Sequence, residues 1–259
     1  MTASPLVSTA WLAEHLDAPD VIVIDASMHL PNTGRDANAE YEAEHIPGAV
    51  RFDIDVISDP SSGLPHTMPQ PHVFSSQMRK LGIGDGQTVV AYDSVGLYSS
   101  PRAWWMLQVM GAERICILDG GLPKWKTEGR PVESGTVVRP DRHFTARMDN
   151  SALASIDDVR KAIKNGTSQI LDARAAGRFS GETPEPRAGM RSGHMPKSFN
   201  LPFTELLNED GTLKPVNELR ALYLAAGIDL EKPVTTSCGS GVTAAVLTLG
   251  LSILGIRDL

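Results

Sequence analysis

The residue best placed for chemistry is Cys238, in the run V-T-T-S-C-G-S-G-V-T-A-A-V-L over 234–247. The β-branched lead-in predicts a strand, and the apolar stretch beyond predicts a helix from near Val242. Cys238 stands at the turn between them, where Gly239 and Gly241 permit tight backbone. The N–H groups of such a turn surround the sulfur, and a helix N-terminus favours an anion by the same geometry. Thiol pKa values in such settings fall to roughly 3.5–7.5, which makes the sulfur a nucleophile. A buried structural thiol is the competing reading. Cys116 earns that reading more directly, because R-I-C-I-L-D over 114–119 is an apolar strand in which a thiol packs as a small hydrophobe.

A cysteine loop before a helix also serves phosphate chemistry, but that needs an arginine six residues after the cysteine. Ala244 stands there, and 238–243 holds no cation. Two other candidate groups remain. One is His66, in G-L-P-H-T-M-P over 63–69. The other is the arginine-bearing run A-G-R-F-S-G-E-T-P-E-P-R-A-G-M-R over 176–191, whose Pro and Gly content reads as loop. Arginines in loops are usually just solvated, and Arg174 and Arg191 are read so. His66 and His72 lack a Cys, Asp or Glu at ligand-like spacing, so no metal site is expected.

The elements that must hold these residues come from an internal repeat. Ser8 opens a predicted helix and Asp25 ends a predicted strand 17 residues later; Ser155 and Asp172 repeat the step at the same spacing. Both serines read as N-caps. His45 follows Asp25 by 20 residues, and His194 follows Asp172 by 22. Asp93 and Cys238 then end further strands, 48 and 44 residues beyond those histidines. Two copies of one αβ domain follow, over 1–140 and 150–259, joined near Pro131–Ala152. Short apolar strands separated by helical stretches predict parallel sheets with helices on both faces. Functional loops in such sheets lie at the carboxyl ends of strands. The repeat therefore sets Asp93 against Cys238, making the first copy inactive and the second catalytic. His45 and His194 occur in both copies, which assigns them to structure. Trp104, Trp105 and Trp125 read as packing residues.

The second copy stops early by this arithmetic. Steps matching L-D-G-G at 118–121 and Trp125 would fall beyond residue 259. The last strand and helix of the second domain are therefore expected to be absent from this sequence.

Composition excludes several classes. A net charge of −7 with no basic run disfavours nucleic acid and anionic membrane as partners. Two cysteines cannot form a disulfide framework, which argues for a reducing compartment. The N-terminus lacks a leader pattern, and the apolar run at 244–256 is too short to span a bilayer. A cytoplasmic protein is expected.

The chain resembles the two-domain sulfurtransferases of the rhodanese superfamily, and within them the branch that uses 3-mercaptopyruvate. C-G-S-G-V-T over 238–243 is that branch's signature loop. Further matches are F-D-I-D at 52–55, Y-S-S-P-R-A-W-W at 98–105, L-D-G-G at 118–121, G-R-F at 177–179 and E-P-R at 185–187. The resemblance implies that Cys238 takes sulfur from 3-mercaptopyruvate as a persulfide, releasing pyruvate. A thiophile such as thioredoxin, a small thiol or cyanide then accepts the sulfur. It implies that Arg178 and Arg187 hold the substrate carboxylate, and that Gly239, Gly241, Val242 and Thr243 line the cradle. It also implies a proton relay of Ser240, His66 and Asp55, placed between the domains; on the residues alone, His66 could equally be a surface loop histidine. No cofactor and no metal are implied. A thiosulfate sulfurtransferase and a non-enzymatic sulfur-carrier module are the alternatives.

Overall fold

The computed structural model describes residues 4–30, 33–187 and 189–256. Residues 1–3 lie outside them, at the start of the N-terminal stretch read as leader-free. So do residues 257–259, where the chain was expected to stop short of its last strand. The chain divides into two compact units, one of Met1–Asn150 with Glu209–Thr212, the other of Ser151–Asn208 with Leu213–Leu259.

The first unit holds a five-stranded parallel sheet. Its strands are β1 (Leu6–Val7), β2 (Val21–Asp25), β3 (Val50–Arg51), β4 (Thr88–Tyr92) and β5 (Ile115–Leu118). They lie in the order β1-β5-β4-β2-β3. The second unit holds β6 (Gln169–Asp172), β7 (Phe199–Asn200) and β8 (Val234–Ser237), in the order β7-β6-β8. Read from the strand that precedes Asp93 or Cys238, β4-β2-β3 and β8-β6-β7 are the same arrangement. Register agrees too: Asp25 pairs with Tyr92 and Asp172 with Ser237. Asp93 and Cys238 are thus each one residue beyond the end of an equivalent strand. Among the described residues β8 has a strand neighbour on one side only.

Local chemistry explains the matching stations. Ser8 caps α1 (Thr9–His15) by accepting from the Trp11 amide, and Ser155 caps α7 (Ile156–Asn165) in a capping box with Asp158. Asp25 and Asp172 are buried at their strand ends, and each accepts from the amide two residues on, Ser27 and Arg174. The first core gathers Leu12, Val23, Ile46, Val90, Tyr92, Leu118 and Trp125.

The histidines of the repeat form matching clasps. His45 stacks on Tyr41, with 4.3 Å between ring centroids, and its Nδ1 lies 2.8 Å from the Tyr41 carbonyl. His194 stacks on Phe179 at 3.9 Å, with Nδ1 2.8 Å from the Phe179 carbonyl.

The predicted linker is not free chain. Up to Asn150 it belongs to the first unit. Glu133 exchanges backbone hydrogen bonds with His45, Arg139 donates to the Gly48 carbonyl, and the Arg147 amide donates to Met110. Pro and Gly keep this stretch out of helices, and its polar backbone docks instead as an extended strap.

Candidate active site

Cys238 follows β8 and precedes α10 (Ala244–Ile253). The helix begins two residues later than its apolar pattern suggests, because Val242 and Thr243 complete the turn. Gly241 has φ +78°, a conformation that β-carbon-bearing residues avoid. This bend aims its amide at the sulfur, and the Gly241 N–H donates to Cys238 Sγ at 3.1 Å. The thiol is half-buried. Cys116 is also half-buried, within β5, and burial pushes its thiol pKa up. The two cysteines thus differ in setting, one within a strand and the other at a turn before a helix.

The corresponding loop of the first unit shows what such a cradle can hold. Asp93 is fully buried after β4. Its Oδ1 accepts from the amides of Val95 at 2.9 Å and Gly96 at 2.8 Å. Its Oδ2 accepts from the amides of Tyr98, Ser99 and Ser100 at 2.8–3.0 Å and from the Ser100 hydroxyl at 2.7 Å. α5 (Ser100–Val109) starts there. The loop is an anion nest filled by the chain's own carboxylate. In the second unit a sulfur that accepts from the Gly241 amide stands in place of that carboxylate.

The arginine-bearing run is not all loop. Ala176–Ser180 forms α8, one short helix turn that ends where Gly181 adopts φ +89°. Arg178 lies on it. Its Nη2 donates to Glu185 Oε2 at 2.6 Å and its Nε to Oε1 at 3.2 Å. A Cβ placed on Gly239 would sit 3.2 Å from the same Nη2, so the guanidinium edge reaches the cysteine loop. The loop has no cation of its own, but the fold brings one to it.

Arg174 is not a solvated arginine. Its side chain is only 10% exposed and forks onto Asp172, with Nη2 to Oδ2 at 2.6 Å. It also donates to Glu185 Oε1 at 2.8 Å. Two carboxylates and two guanidinium groups therefore form one neutral buried network. The Arg178 hydrogen bond holds the Glu185 carboxyl below its usual range against the opposing effect of burial, with Arg174 adding to the shift. The pairing is therefore complete above the ordinary carboxylate range and is lost only when the pH falls further, through the lowered pKa of Glu185. The sequence pointed to a solvated Arg174, and Glu185 entered only within the E-P-R match; their pairing shows only in the fold. Arg187 is half-buried and makes no ion pair among the described residues.

The first unit carries His66 and Asp55. Asp55 lies in the first turn of α3 (Ile54–Ile57), capped by Asp53. His66 Nε2 lies 2.8 Å from Asp55 Oδ1. The histidine is only 7% exposed, which removes the surface-loop reading. Its backbone is left-handed, φ +59°, and the Arg102 guanidinium grips its carbonyl at 2.6 Å. A non-glycine residue held this way is over-determined by its surroundings. Its Nδ1 is buried and has no hydrogen-bond partner among the described residues. Ser240 lies in the second unit's cysteine loop and is half-buried. Among the described residues no group of three or more His, Cys, Asp or Glu side chains is arranged to hold a metal ion.

A parallel αβ sheet with a cysteine one residue beyond a strand end, at a turn whose amide meets the sulfur before a helix begins, defines a rhodanese-type sulfur carrier. The chain belongs to the rhodanese family of sulfurtransferases: the rhodanese-like domain matches residues 8–128, and full-length relatives align beyond it. The 3-mercaptopyruvate sulfurtransferase of Escherichia coli K12 is 44% identical over 259 residues, covering 100% of this chain and 92% of that protein. The human 3-mercaptopyruvate sulfurtransferase is 41% identical, with 98% and 87% covered. The crystal structure of SseA from Escherichia coli, described as a 3-mercaptopyruvate sulfotransferase, superposes with a TM-score of 0.92 at 42% identity, covering 99% of this chain and 96% of that one.

Proposed function

We propose that this chain is an enzyme that moves sulfur from 3-mercaptopyruvate through a persulfide on Cys238 to a thiol or cyanide. The carrying observation is the Cys238 turn, where a backbone amide meets the sulfur and the Arg178 edge reaches Gly239. The first domain is then the inactive copy and the second the catalytic one.

The Cys238 thiolate attacks the sulfur of the donor. The donor's carbon–sulfur bond breaks, and its electron pair passes to the enolate of pyruvate, which takes up a proton. The outer sulfur stays on Cys238. An acceptor thiolate or cyanide then attacks that sulfur and restores the Cys238 thiolate. This is ping-pong covalent catalysis. Amides of Gly239, Ser240, Gly241, Val242 and Thr243 are assigned to the charged sulfur, as preorganised donors. Thioredoxin and small thiols are the proposed physiological acceptors, and the cytoplasm the proposed location. Among the described residues no helix is long and apolar enough to cross a membrane.

Asp55, His66 and Ser240 are assigned to proton transfer. His66→Asn is the suitable test, because Asn tolerates the left-handed backbone that His66 adopts. It is expected to lower kcat by about 10²-fold, the scale of a lost positioned acid or base. An unchanged kcat in a chemistry-limited assay would leave His66 with a structural role only.

Donor choice follows from charge placement. Thiosulfate is a compact dianion whose charge sits beside the attacked sulfur, and the cysteine loop itself offers dipoles and hydroxyls only. Mercaptopyruvate carries its charge on a carboxylate several bonds away, within reach of guanidinium groups on another segment. Arg178→Ala and Arg187→Ala are each expected to lower kcat/KM for mercaptopyruvate by roughly 10–100-fold, the loss of a charge-assisted hydrogen bond. Thiosulfate turnover should start low and change less. Steady-state kinetics with both donors decide the matter; a wild-type preference for thiosulfate would move the assignment to a thiosulfate sulfurtransferase.

A further inference from the structure

Three features of the repeat meet at one residue. In the first unit the aromatic–histidine clasp spans four residues, Tyr41 to His45; in the second it spans fifteen, Phe179 to His194. The clasp geometry is otherwise the same. The extra chain in the second unit holds Glu185 and Arg187, so the cysteine-bearing copy alone carries this loop.

The residue just before the clasp aromatic also changes charge. It is Glu40 in the first unit and Arg178 in the second. Each reaches the residue that follows its strand-end Asp or Cys. The Ser94 hydroxyl donates to Glu40 Oε2 at 3.3 Å, and Arg178 Nη2 lies against Gly239. Each is also gripped by an opposite charge. Arg35 takes Glu40 through two bonds of 2.7 Å, and Glu185 takes Arg178 through two bonds. The copies are thus equivalent in layout and reversed in polarity.

The grip in the second unit is the more deeply buried. The Glu185 side chain is 5% exposed, and Arg174, itself forked onto Asp172, holds the same carboxylate from the other side. Glu185 engages Nε and Nη2 of Arg178, which fixes the guanidinium plane while the same Nη2 lies against Gly239 of the cysteine loop. Glu185 needs no contact with a donor molecule to matter: it sets the direction in which Arg178 can donate.

We infer that Glu185 is a positioning residue that selects α-keto acid donors by fixing the Arg178 guanidinium against the Cys238 loop. This inference rests on the proposed role of Arg178. Glutamine at 185 keeps one acceptor but turns an amide NH₂ toward guanidinium donors, so the two-point grip is lost.

The test is a double-mutant cycle on the full chain, read as KM and kcat for 3-mercaptopyruvate with a saturating small thiol. Glu185→Gln is expected to raise KM by about tenfold, the scale of one misdirected charge-assisted hydrogen bond, with kcat within about twofold. In an Arg178→Ala background the same change should alter KM by less than about twofold, because the group it acts through is gone. A merely structural role would give equal effects in both backgrounds, and that result overturns the inference. If Glu185→Gln does not fold, Glu185→Asp is read in the same two backgrounds; it keeps the charge toward Arg174 and shortens the reach to Arg178. A raised KM for Arg178→Ala with an unchanged KM for the folded Glu185 variant overturns the positioning role alone. An unchanged KM for Arg178→Ala overturns both that role and the proposed carboxylate subsite.

Discussion

Cys238→Ser is expected to abolish turnover, by about 10⁴-fold or more, as loss of a nucleophile does. A serine hydroxyl is far less ionised than a thiol at neutral pH, and its oxygen is a poor acceptor of sulfur. The Gly241 amide that donates to Sγ would still find an oxygen, so the loop should keep its shape. The loss would then be chemical rather than structural. Cys116→Ser supplies the contrast. Cys116 lies inside β5, and burial raises its pKa, which leaves it little thiolate at neutral pH. Its replacement should leave most activity. Mass spectrometry of the intact protein after donor treatment gives the independent reading: wild type and Cys116→Ser gain one sulfur atom, and Cys238→Ser gains none. A persulfide confined to Cys116 would overturn the assignment of the carrier.

The stations of the repeat were legible because each rests on a local signal. Ser8 and Ser155 announce helix starts by a hydrogen bond made within one turn. Asp25 and Asp172 close buried strands and bond to the amide two residues on. The cysteine turn was legible for the same reason, with strand, glycine bend and helix adjacent in sequence. What stayed hidden depends on partners far along the chain. Arg174 meets Glu185 eleven residues on, through a loop whose path no pattern encodes. The stretch after Pro131 has the composition of a linker, and a docked strap and a free linker share that composition. Whether such a stretch docks depends on carbonyls such as that of Gly48, presented by distant residues. The five-residue α8 was invisible because one turn has too few residues for a helical period to show. The surface-loop alternative for His66 stayed open in the sequence because the groups it meets, Arg102 and Asp55, are not its neighbours along the chain.

Asp93→Ala is expected to destabilise the first unit by about 3–5 kcal/mol, near the upper end of single-substitution effects. Asp93 stands where the second unit has Cys238, and its role is structural. Its carboxylate satisfies five backbone amides and the Ser100 hydroxyl within one fully buried turn. Removing it strands those donors together, with about 1–3 kcal/mol at stake for each buried polar group left unpaired. Water entering the vacated space recovers part of that, so the loss is well below the simple sum. Asp93→Asn should fare little better. Its carbonyl can serve Val95 and Gly96, but its NH₂ then faces three more N–H donors where Oδ2 stood. All four tryptophans, Trp11, Trp104, Trp105 and Trp125, lie in the first unit, so tryptophan fluorescence reports that unit alone. Urea unfolding followed by this signal should show a lower midpoint for both variants, with an unchanged slope. A loss below about 1 kcal/mol in Asp93→Ala would mean that the amides find another acceptor. The loop would then not be an anion nest built around its own carboxylate, and the comparison with the Cys238 turn would lose its physical basis.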